Sequence, residues 1–531
     1  MVDVSKSPPG NDSLAVVPLA AKGEGEKAAA TEPMSQEQHF RTDHLLGNLK
    51  GRAISGGLVT AGAQVGRFIL NFASTMILAR LLTPVDFGLV AMVTTLTGFL
   101  SMFKDAGLST ATVQKSDITH AQVSNLFWAN VTLTGLLSLI VAALAPVLAW
   151  FYRDPRLVGI TVALSITFLL SGLVVQNQAL LNRQMRFKSI ACIDISSMAI
   201  GLLVGVMLAR AGWGYWSLVG QQLTAAITEV CQTWWLSPWR PQLPARRSGT
   251  RSMLSFGGSL TAATFLRRLA ARGDTLLLGR FYGAESVGLY SRGAVLLMRP
   301  VEQFLAPFYA VFVPLLSRLQ DQPERYRRTF LNIFNGMALF SFPFAGLCLG
   351  LSHPLVLIVL GARWEKVTPV FAACTFAALY YPLVAPANWM LTTQGRGKDF
   401  LVLGGIVSLV TVCAFLIGLP FGPAGVALAS SGSALLISLP ITYYVVGRHG
   451  PVSTTNLWAV FLKYLPTWAA AFGGSYLTGR MALPFSPFVQ LCISAPVGLL
   501  AGAAVVFGMP SQRREAFRLV DAMKRFMTKT Q

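Results

Sequence analysis

Apolar stretches long enough to cross a lipid bilayer recur through the chain from about residue 53 to residue 508. A helix rises 1.5 Å per residue, so about 20 apolar residues span a hydrocarbon core of roughly 30 Å. This criterion predicts fourteen spans, and it excludes a soluble enzyme because only 12% of the residues are charged. The predicted spans are 54–80, 87–108, 124–150, 157–181, 188–210, 214–236, 253–280, 286–316, 330–360, 367–391, 399–419, 423–446, 458–478 and 487–508.

The two ends of the chain differ in composition from the apolar region. Residues 1–52 are rich in Gly, Pro, Ala, Ser, Glu and Lys and have no periodic apolar face, which predicts a disordered tail. Residues 509–531 form a basic tail. Between them the spans predict an N-lobe at 53–240 (spans 1–6), a C-lobe at 250–447 (spans 7–12), and two further spans at 455–508.

The formal net charge of +21 serves mainly to orient the chain. Loops on the side of the two tails carry roughly twice as many Lys and Arg as the loops on the other side, which places both tails in the cytoplasm. No loop exceeds roughly 20 residues, which leaves no room for a catalytic domain outside the membrane. The sequence therefore predicts a multi-pass membrane protein that is not an enzyme.

An internal repeat relates the two halves of the chain at an offset of 200 residues. Sliding residues 57–90 onto 257–290 gives eight identities, including Arg67 with Arg267 and Gly88 with Gly288. An offset of six spans keeps both copies in the same orientation, as in transporters whose lobes face each other across a cavity. The predicted fold is therefore all-α, with two pseudo-symmetric six-helix lobes and two C-terminal helices.

Polar residues on span one share one helical face. Gln64, Arg67, Asn71 and Ser74 are spaced by three, four and three residues. Arg67 and its repeat partner Arg267 both fall near mid-bilayer, and a charge at that depth needs an ion partner, a water-filled cavity or a function. An ion pair with an acidic residue of another helix is the structural alternative for both arginines.

Further charged residues lie inside other predicted spans. Arg268 and Arg299 are candidate ligand contacts, and Arg268 alternatively pairs with Glu302. Arg272 and Arg292 lie toward the outer end, where an interface role is more usual. The acidic residues that are candidates for coupling to an ion are Asp194, Glu229, Asp274 and Glu302. Neighbouring hydroxyls and amides are the structural alternative for Asp194 and Glu229.

A cavity that holds several arginines favours an anionic ligand, because guanidinium binds phosphate bidentately and stays charged. Nucleic acid is a poor candidate, since these arginines lie at membrane depth. A lipid diphosphate fits, with its head in the cavity and its tail in lipid. No catalytic triad, metal-ligand cluster or nucleotide-binding motif stands out, so neither a metal site nor a cofactor is predicted.

Several segments resemble the Wzx-type polysaccharide flippases, which belong to the multidrug/oligosaccharidyl-lipid/polysaccharide exporter superfamily. The resemblance covers roughly residues 50–450. The segments that carry it are LARLLTPVDFGLVAMV (78–93), DAGLSTATVQK (105–115), LLNRQMRFK (180–188), GYWSLVGQQL (214–223), GDTLLLGRFYGAESVGLYSRG (273–293), FVPLLSRLQD (312–321), LGARW (360–364) and GPAGVALA (422–429).

The resemblance implies that the protein flips undecaprenyl-diphosphate-linked oligosaccharide repeat units across the bacterial inner membrane by alternating access. It implies that Arg67, Arg267, Arg268 and Arg299 contact the diphosphate. Gln64 and Asn71 share the face of Arg67 and join the predicted site. Membrane lipids are expected partners, and polysaccharide polymerase and chain-length proteins are candidate ones. Span two departs from the family pattern, because it has no basic residue at mid-depth.

Two other functions are compatible with a chain of this kind. A drug or metabolite antiporter of the same superfamily would be expected to have an acidic cavity. A membrane-embedded glycosyltransferase or ligase would need carboxylates or a large outer domain, and the short loops offer neither.

Overall fold

The structure is a computed structural model of the chain. It describes residues 49–104, 109, 112, 113, 118–243 and 272–528, and all regular secondary structure in these residues is helical. The predicted all-α fold is therefore confirmed for the described part of the chain.

Seven helices form the first half of the described chain. They are α1 (Leu49–Leu81), α2 (Pro84–Leu100), α3 (His120–Ala143), α4 (Ala145–Tyr152), α5 (Arg156–Arg183), α6 (Phe187–Arg210) and α7 (Trp216–Leu236). Helix α2 begins where the Thr83 hydroxyl and the Asp86 carboxylate each accept a hydrogen bond from the other residue's backbone N–H, a capping box. Helix α1 begins at Leu49, inside the predicted N-terminal tail, and residues 1–48 lie outside the described part.

The second half begins with a helix that is two helices joined at Gly283. Gly283 has φ 76° and ψ −173°, a backbone conformation that residues other than glycine rarely adopt. This break in the helix separates the end of span seven from span eight. The helices are α8 (Gly273–Arg318), α9 (Pro323–Gly350), α10 (Ser352–Val359), α11 (Thr368–Thr393), α12 (Gly397–Gly418), α13 (Gly422–Ser433), α14 (Leu439–Gly447), α15 (Thr454–Met481), α16 (Pro487–Gly508) and α17 (Pro510–Thr528).

Nine stretches of the described residues are long and apolar enough to cross a membrane. Some of them contain more than one predicted span: Gly397–Gly447 covers the eleventh and twelfth, and Gly273–Arg318 covers the kinked pair. Helices α1, α7 and α15 are 33, 21 and 28 residues long but carry more polar residues. The chain is a multi-pass membrane protein built from these helices.

We call the end of the helix bundle at Leu49, Arg183 and Phe187 the tail face, and the opposite end, at Leu81, Pro84 and Tyr152, the far face. At the far face the two lobes contact each other directly. Trp364 is fully buried, donates a hydrogen bond from Nε1 to the Ala79 carbonyl (2.7 Å), and packs edge-on against Phe87. One apolar core, which includes Leu78, Phe87, Leu278 and Trp364, extends across this junction.

Candidate ligand-binding site between the lobes

The polar face of α1 runs past two cavities. Gln64 lines a cavity toward the tail face, and Asn71 and Ser74 line a cavity toward the far face. Arg67 lies on the same face between them, one turn from Gln64 and one turn from Asn71. Because these polar residues are spaced by three, four and three positions, they form one face of α1 that extends from the tail-side cavity to the far-side cavity.

The tail-side cavity has a volume of about 750 Å³ and lies between the lobes. Helix α8 of the C-lobe contributes Gln303, Ala306 and Pro307. The N-lobe residues that line it are Gly56, Gly57, Thr60, Ala61, Gln64, Val65, Phe68, Met185 and Phe187. It is therefore a largely apolar space, with amide groups from both lobes.

Arg299 and Glu302 lie next to this tail-side cavity on α8. Arg299 precedes the cavity-lining Gln303 by four residues, so both side chains project from the same helix face. The Arg299 Nη1 is 3.7 Å from the Glu302 Oε2, and both side chains are well exposed. A loose pair of this kind leaves the guanidinium free to accept another anion.

The far-side cavity has a volume of about 280 Å³ and is lined mainly by the N-lobe. Amides and hydroxyls of α1 and α7 supply its polar groups, including Asn71, Ser74, Gln221 and Gln222. The C-lobe contributes Arg292, whose guanidinium carbon lies 4.1 Å from the centre of the Phe87 ring. The Arg292 Nε is buried and has no hydrogen-bond partner among the described residues.

Arg292 is the residue whose role the sequence analysis missed. It does lie at the lobe interface, as its depth suggested, but it also reaches into the N-lobe cavity. The sequence did contain an indication of this role, which is the spacing of Arg292 from Arg299. Seven residues correspond to two helical turns, so the two arginines lie on one face of α8. What sequence alone did not reveal is that this face meets the cavity of the other lobe.

Arg67 is paired across two helices. Its Nη1 lies 2.6 Å from the Asp194 Oδ2 of α6, and its Nη2 donates to the Gln64 Oε1. The ion pair that was the structural alternative for Arg67 is therefore present in this conformation. The Arg67 side chain is nevertheless 35% exposed, so the pair is accessible.

The other acidic candidates occupy separate places. Glu229 accepts a hydrogen bond from the Gln178 Nε2 (2.9 Å) and lines an N-lobe cavity together with Lys104. Asp274 lies in a C-lobe cavity of about 430 Å³, where its Oδ1 accepts a hydrogen bond from the backbone N–H of Thr275.

Two of the predicted site residues, Arg267 and Arg268, lie outside the described residues, as does most of span seven. The described site is thus formed by α1, α6, α7 and α8. Within the part of the chain that the structure describes, no three His, Cys, Asp or Glu side chains are grouped as a metal site would require.

Known proteins of polysaccharide biosynthesis are similar to this chain over much of its length. Residues 77–369, more than half of the chain, match a family described as polysaccharide biosynthesis proteins. The chain is 26% identical to the teichuronic acid biosynthesis protein TuaB of Bacillus subtilis, over 84% of this chain and 93% of that one. It is 24% identical to the lipopolysaccharide biosynthesis protein WzxC of Escherichia coli, over 82% and 90% of the two chains.

Solved structures show the same fold at low sequence identity. The chain superposes on the lipid II flippase MurJ in an inward closed conformation with a TM-score of 0.63, at 14% identity and over 86% of this chain and 99% of that one. An inward-facing multidrug resistance transporter of the MATE family gives a TM-score of 0.55 at 13% identity, over 76% and 99%. With more than half of its length matched by the family, the chain belongs to the polysaccharide biosynthesis proteins.

Proposed function

We propose that this protein flips undecaprenyl-diphosphate-linked oligosaccharide from the cytoplasmic to the outer leaflet of the bacterial inner membrane. The tail face is then cytoplasmic, as the basic residues of its loops indicate, and both termini lie in the cytoplasm. Relatives named for teichuronic acid and lipopolysaccharide biosynthesis support this class of substrate.

The observation that carries the proposal is a series of arginines that runs from beside the tail-side cavity to the wall of the far-side cavity. Arg67 and Arg299 each lie one turn beyond the amides that line the tail-side cavity, and Arg292 lies two turns beyond Arg299. A diphosphate that enters from the tail-side cavity therefore meets guanidinium groups from both lobes. Arg267 and Arg268 remain part of the proposed site because the repeat relates Arg267 to Arg67.

The chemistry of this space favours an anion over a cationic drug. Arg292 forms no ion pair with a carboxylate among the described residues, and its Nε is buried and unpartnered. A partly buried guanidinium with an unpartnered N–H group is costly, and a phosphate group that accepts its hydrogen bonds offsets that cost. An exporter of cations would gain nothing from this arrangement.

The conformation is one in which the far face is closed. Side chains and backbone of the two lobes pack together there, and the larger cavity between the lobes lies toward the tail face. Alternating access would then separate Trp364 from Ala79 and expose the Arg292 cavity on the far side. The carboxylates proposed to couple this motion to an ion are Asp194, Glu229, Asp274 and Glu302. Polysaccharide polymerase and chain-length proteins stay candidate partners.

The test is an analysis of lipid-linked intermediates in a strain that lacks the protein and carries one of three variants, Arg67→Gln, Arg299→Gln or Arg292→Gln. We expect each variant to insert at normal levels, to accumulate lipid-linked repeat units and to make little polymer. Arg210→Gln is the matched control, because Arg210 is exposed at the far-face end of α6. Normal polymer from all three variants would overturn the proposal.

A further inference from the structure

We propose that Asp194 is a built-in competitor for the substrate, which holds Arg67 when the site is empty and is displaced from it by a diphosphate oxygen. This inference rests on the proposed function and adds a residue that acts through Arg67. Asp194 is thus a positioning residue whose charge sets how tightly the substrate is held.

The geometry of the pair is that of an exchangeable contact. Only the Asp194 Oδ2 meets Arg67, at one guanidinium nitrogen (2.6 Å). With the bond to Gln64, the described residues occupy two of the five N–H groups of the guanidinium. The others are available to a bidentate ligand such as phosphate.

Another Arg–Asp pair in this chain shows what a structural contact looks like. Asp154 and Arg156 are two residues apart, and both carboxylate oxygens accept hydrogen bonds, with distances of 3.0 Å to Nε and 2.7 Å to Nη2. That pair closes a short turn at the far face, away from both cavities. The Arg67 contact instead joins residues 127 positions apart through a single oxygen.

The location of the pair gives a ligand access to it. Arg67 and Asp194 are 35% and 20% exposed, and the Gln64 amide that also binds Arg67 lines the tail-side cavity. A diphosphate in that cavity reaches Arg67 by moving the Gln64 amide and taking the place of the Asp194 oxygen. The remaining N–H groups let a phosphate bind first, and two anions that compete for the charge of one guanidinium then weaken each other's contact with it.

Displacement leaves Asp194 without its counter-ion. A half-buried carboxylate without a counter-ion is unfavourable, which favours the return of Asp194 to Arg67. The competitor therefore weakens substrate binding and speeds release of the diphosphate. A site that releases its cargo on every cycle needs such a limit on affinity.

The experiment measures binding of undecaprenyl diphosphate to the purified full-length protein in lipid nanodiscs. We expect Asp194→Asn to bind at least about ten times more tightly than the wild type, while its turnover in a flipping assay falls. If the Asp194→Asn variant does not fold, Asp194→Ser serves as a second variant without the charge. Asp154→Asn is the matched control and should leave binding unchanged. Thermal stability of Asp194→Asn should fall, since Arg67 loses its partner.

The outcomes separate this inference from the proposed function. Tighter substrate binding together with lower thermal stability supports the exchange. If the ion pair were purely structural, breaking it would lower both the affinity for the substrate and the thermal stability. Unchanged or weaker binding in the folded Asp194 variants, with binding weakened in Arg67→Gln, overturns the exchange and leaves the proposed function standing. Normal binding by Arg67→Gln would overturn the role of Arg67 itself.

Discussion

Gly88 and Gly288 form a backbone-to-backbone crossing between the two lobes at the far face. A Cβ atom placed on Gly88 would lie 1.7 Å from the Ala284 carbonyl oxygen, and one placed on Gly288 would lie 1.9 Å from the Pro84 carbonyl oxygen. The two glycines occupy equivalent positions in the 200-residue repeat, so the crossing is pseudo-symmetric. Small residues allow helices in a membrane to approach this closely.

Replacing either glycine by alanine should prevent the far face from closing. The added methyl group meets rigid backbone, so the helices must separate, at a cost of about 1–3 kcal/mol to the closed conformation. We expect Gly88→Ala and Gly288→Ala to widen the distance between spin labels at positions 213 and 363, measured in a background without the native cysteines, and to reduce transport.

Gly98→Ala is the control for this experiment, because Gly98 lies on the same helix and no other described residue beyond its own helix backbone has an atom within 4 Å of its Cβ position. An unchanged label distance in both crossing variants would show that the contact does not hold the far face closed.

A second contact at the far face predicts a smaller effect. Trp364→Phe keeps most of the buried ring but removes the hydrogen bond to the Ala79 carbonyl, which should weaken the closed conformation by about 1 kcal/mol. The same label distance should show a partial shift toward the open form. A shift as large as that of Gly288→Ala would mean that the hydrogen bond of Trp364 contributes as much to closure as the glycine crossing, which contradicts the expected smaller effect.

Arg292 should show opposite effects on stability and activity. Arg292→Met removes a half-buried charge that has no carboxylate partner among the described residues, so the melting temperature should stay the same or rise by a few degrees. Transport should fall at the same time, because the far-side cavity loses its cation. Arg292→Lys keeps the charge and should retain part of the activity. Full activity of Arg292→Met would contradict the proposed role.

The pair at the far face predicts a small pH dependence of stability. The hydrogen bond from Arg156 lowers the pKa of Asp154. Because the folded pKa lies below the unfolded one, the stabilisation is present above the unfolded pKa, near 4, and is lost as pH falls through the folded pKa. Wild type should be more stable than Asp154→Asn at neutral pH, by less than about 1 kcal/mol, and the difference should vanish in acid. A difference that grows as pH falls would contradict this sign.

Much of the fold was predictable because bilayer thickness fixes the length of a span and the repeat fixes how the halves correspond. The face shared by Gln64, Arg67 and Asn71 followed from helical spacing and does run past both cavities. The alignment also paired Gly88 with Gly288. It did not reveal that the two glycines touch, because an alignment relates positions and says nothing about their separation.

The contacts of the site were harder to predict because they depend on how separate helices pack. Asp194 lies 127 residues from Arg67, and nothing local to either residue names the other as its partner. The role of Arg292 depends on the approach of α8 to the cavity of the opposite lobe. Glu302 lies 3.7 Å from Arg299 on its own helix, and its alternative partner Arg268 lies outside the described residues.

The most direct measurement is flipping of an undecaprenyl-diphosphate-linked oligosaccharide by the purified protein in liposomes. The fraction of sugar that a membrane-impermeant glycosidase can reach would be followed over time. We predict rapid transfer by the wild type and by Arg210→Gln, and transfer slowed at least about tenfold by Arg67→Gln and Arg292→Gln. Equal rates for these variants and the wild type, or no transfer above that of protein-free liposomes, would contradict the proposal that the arginines between the lobes carry the lipid diphosphate.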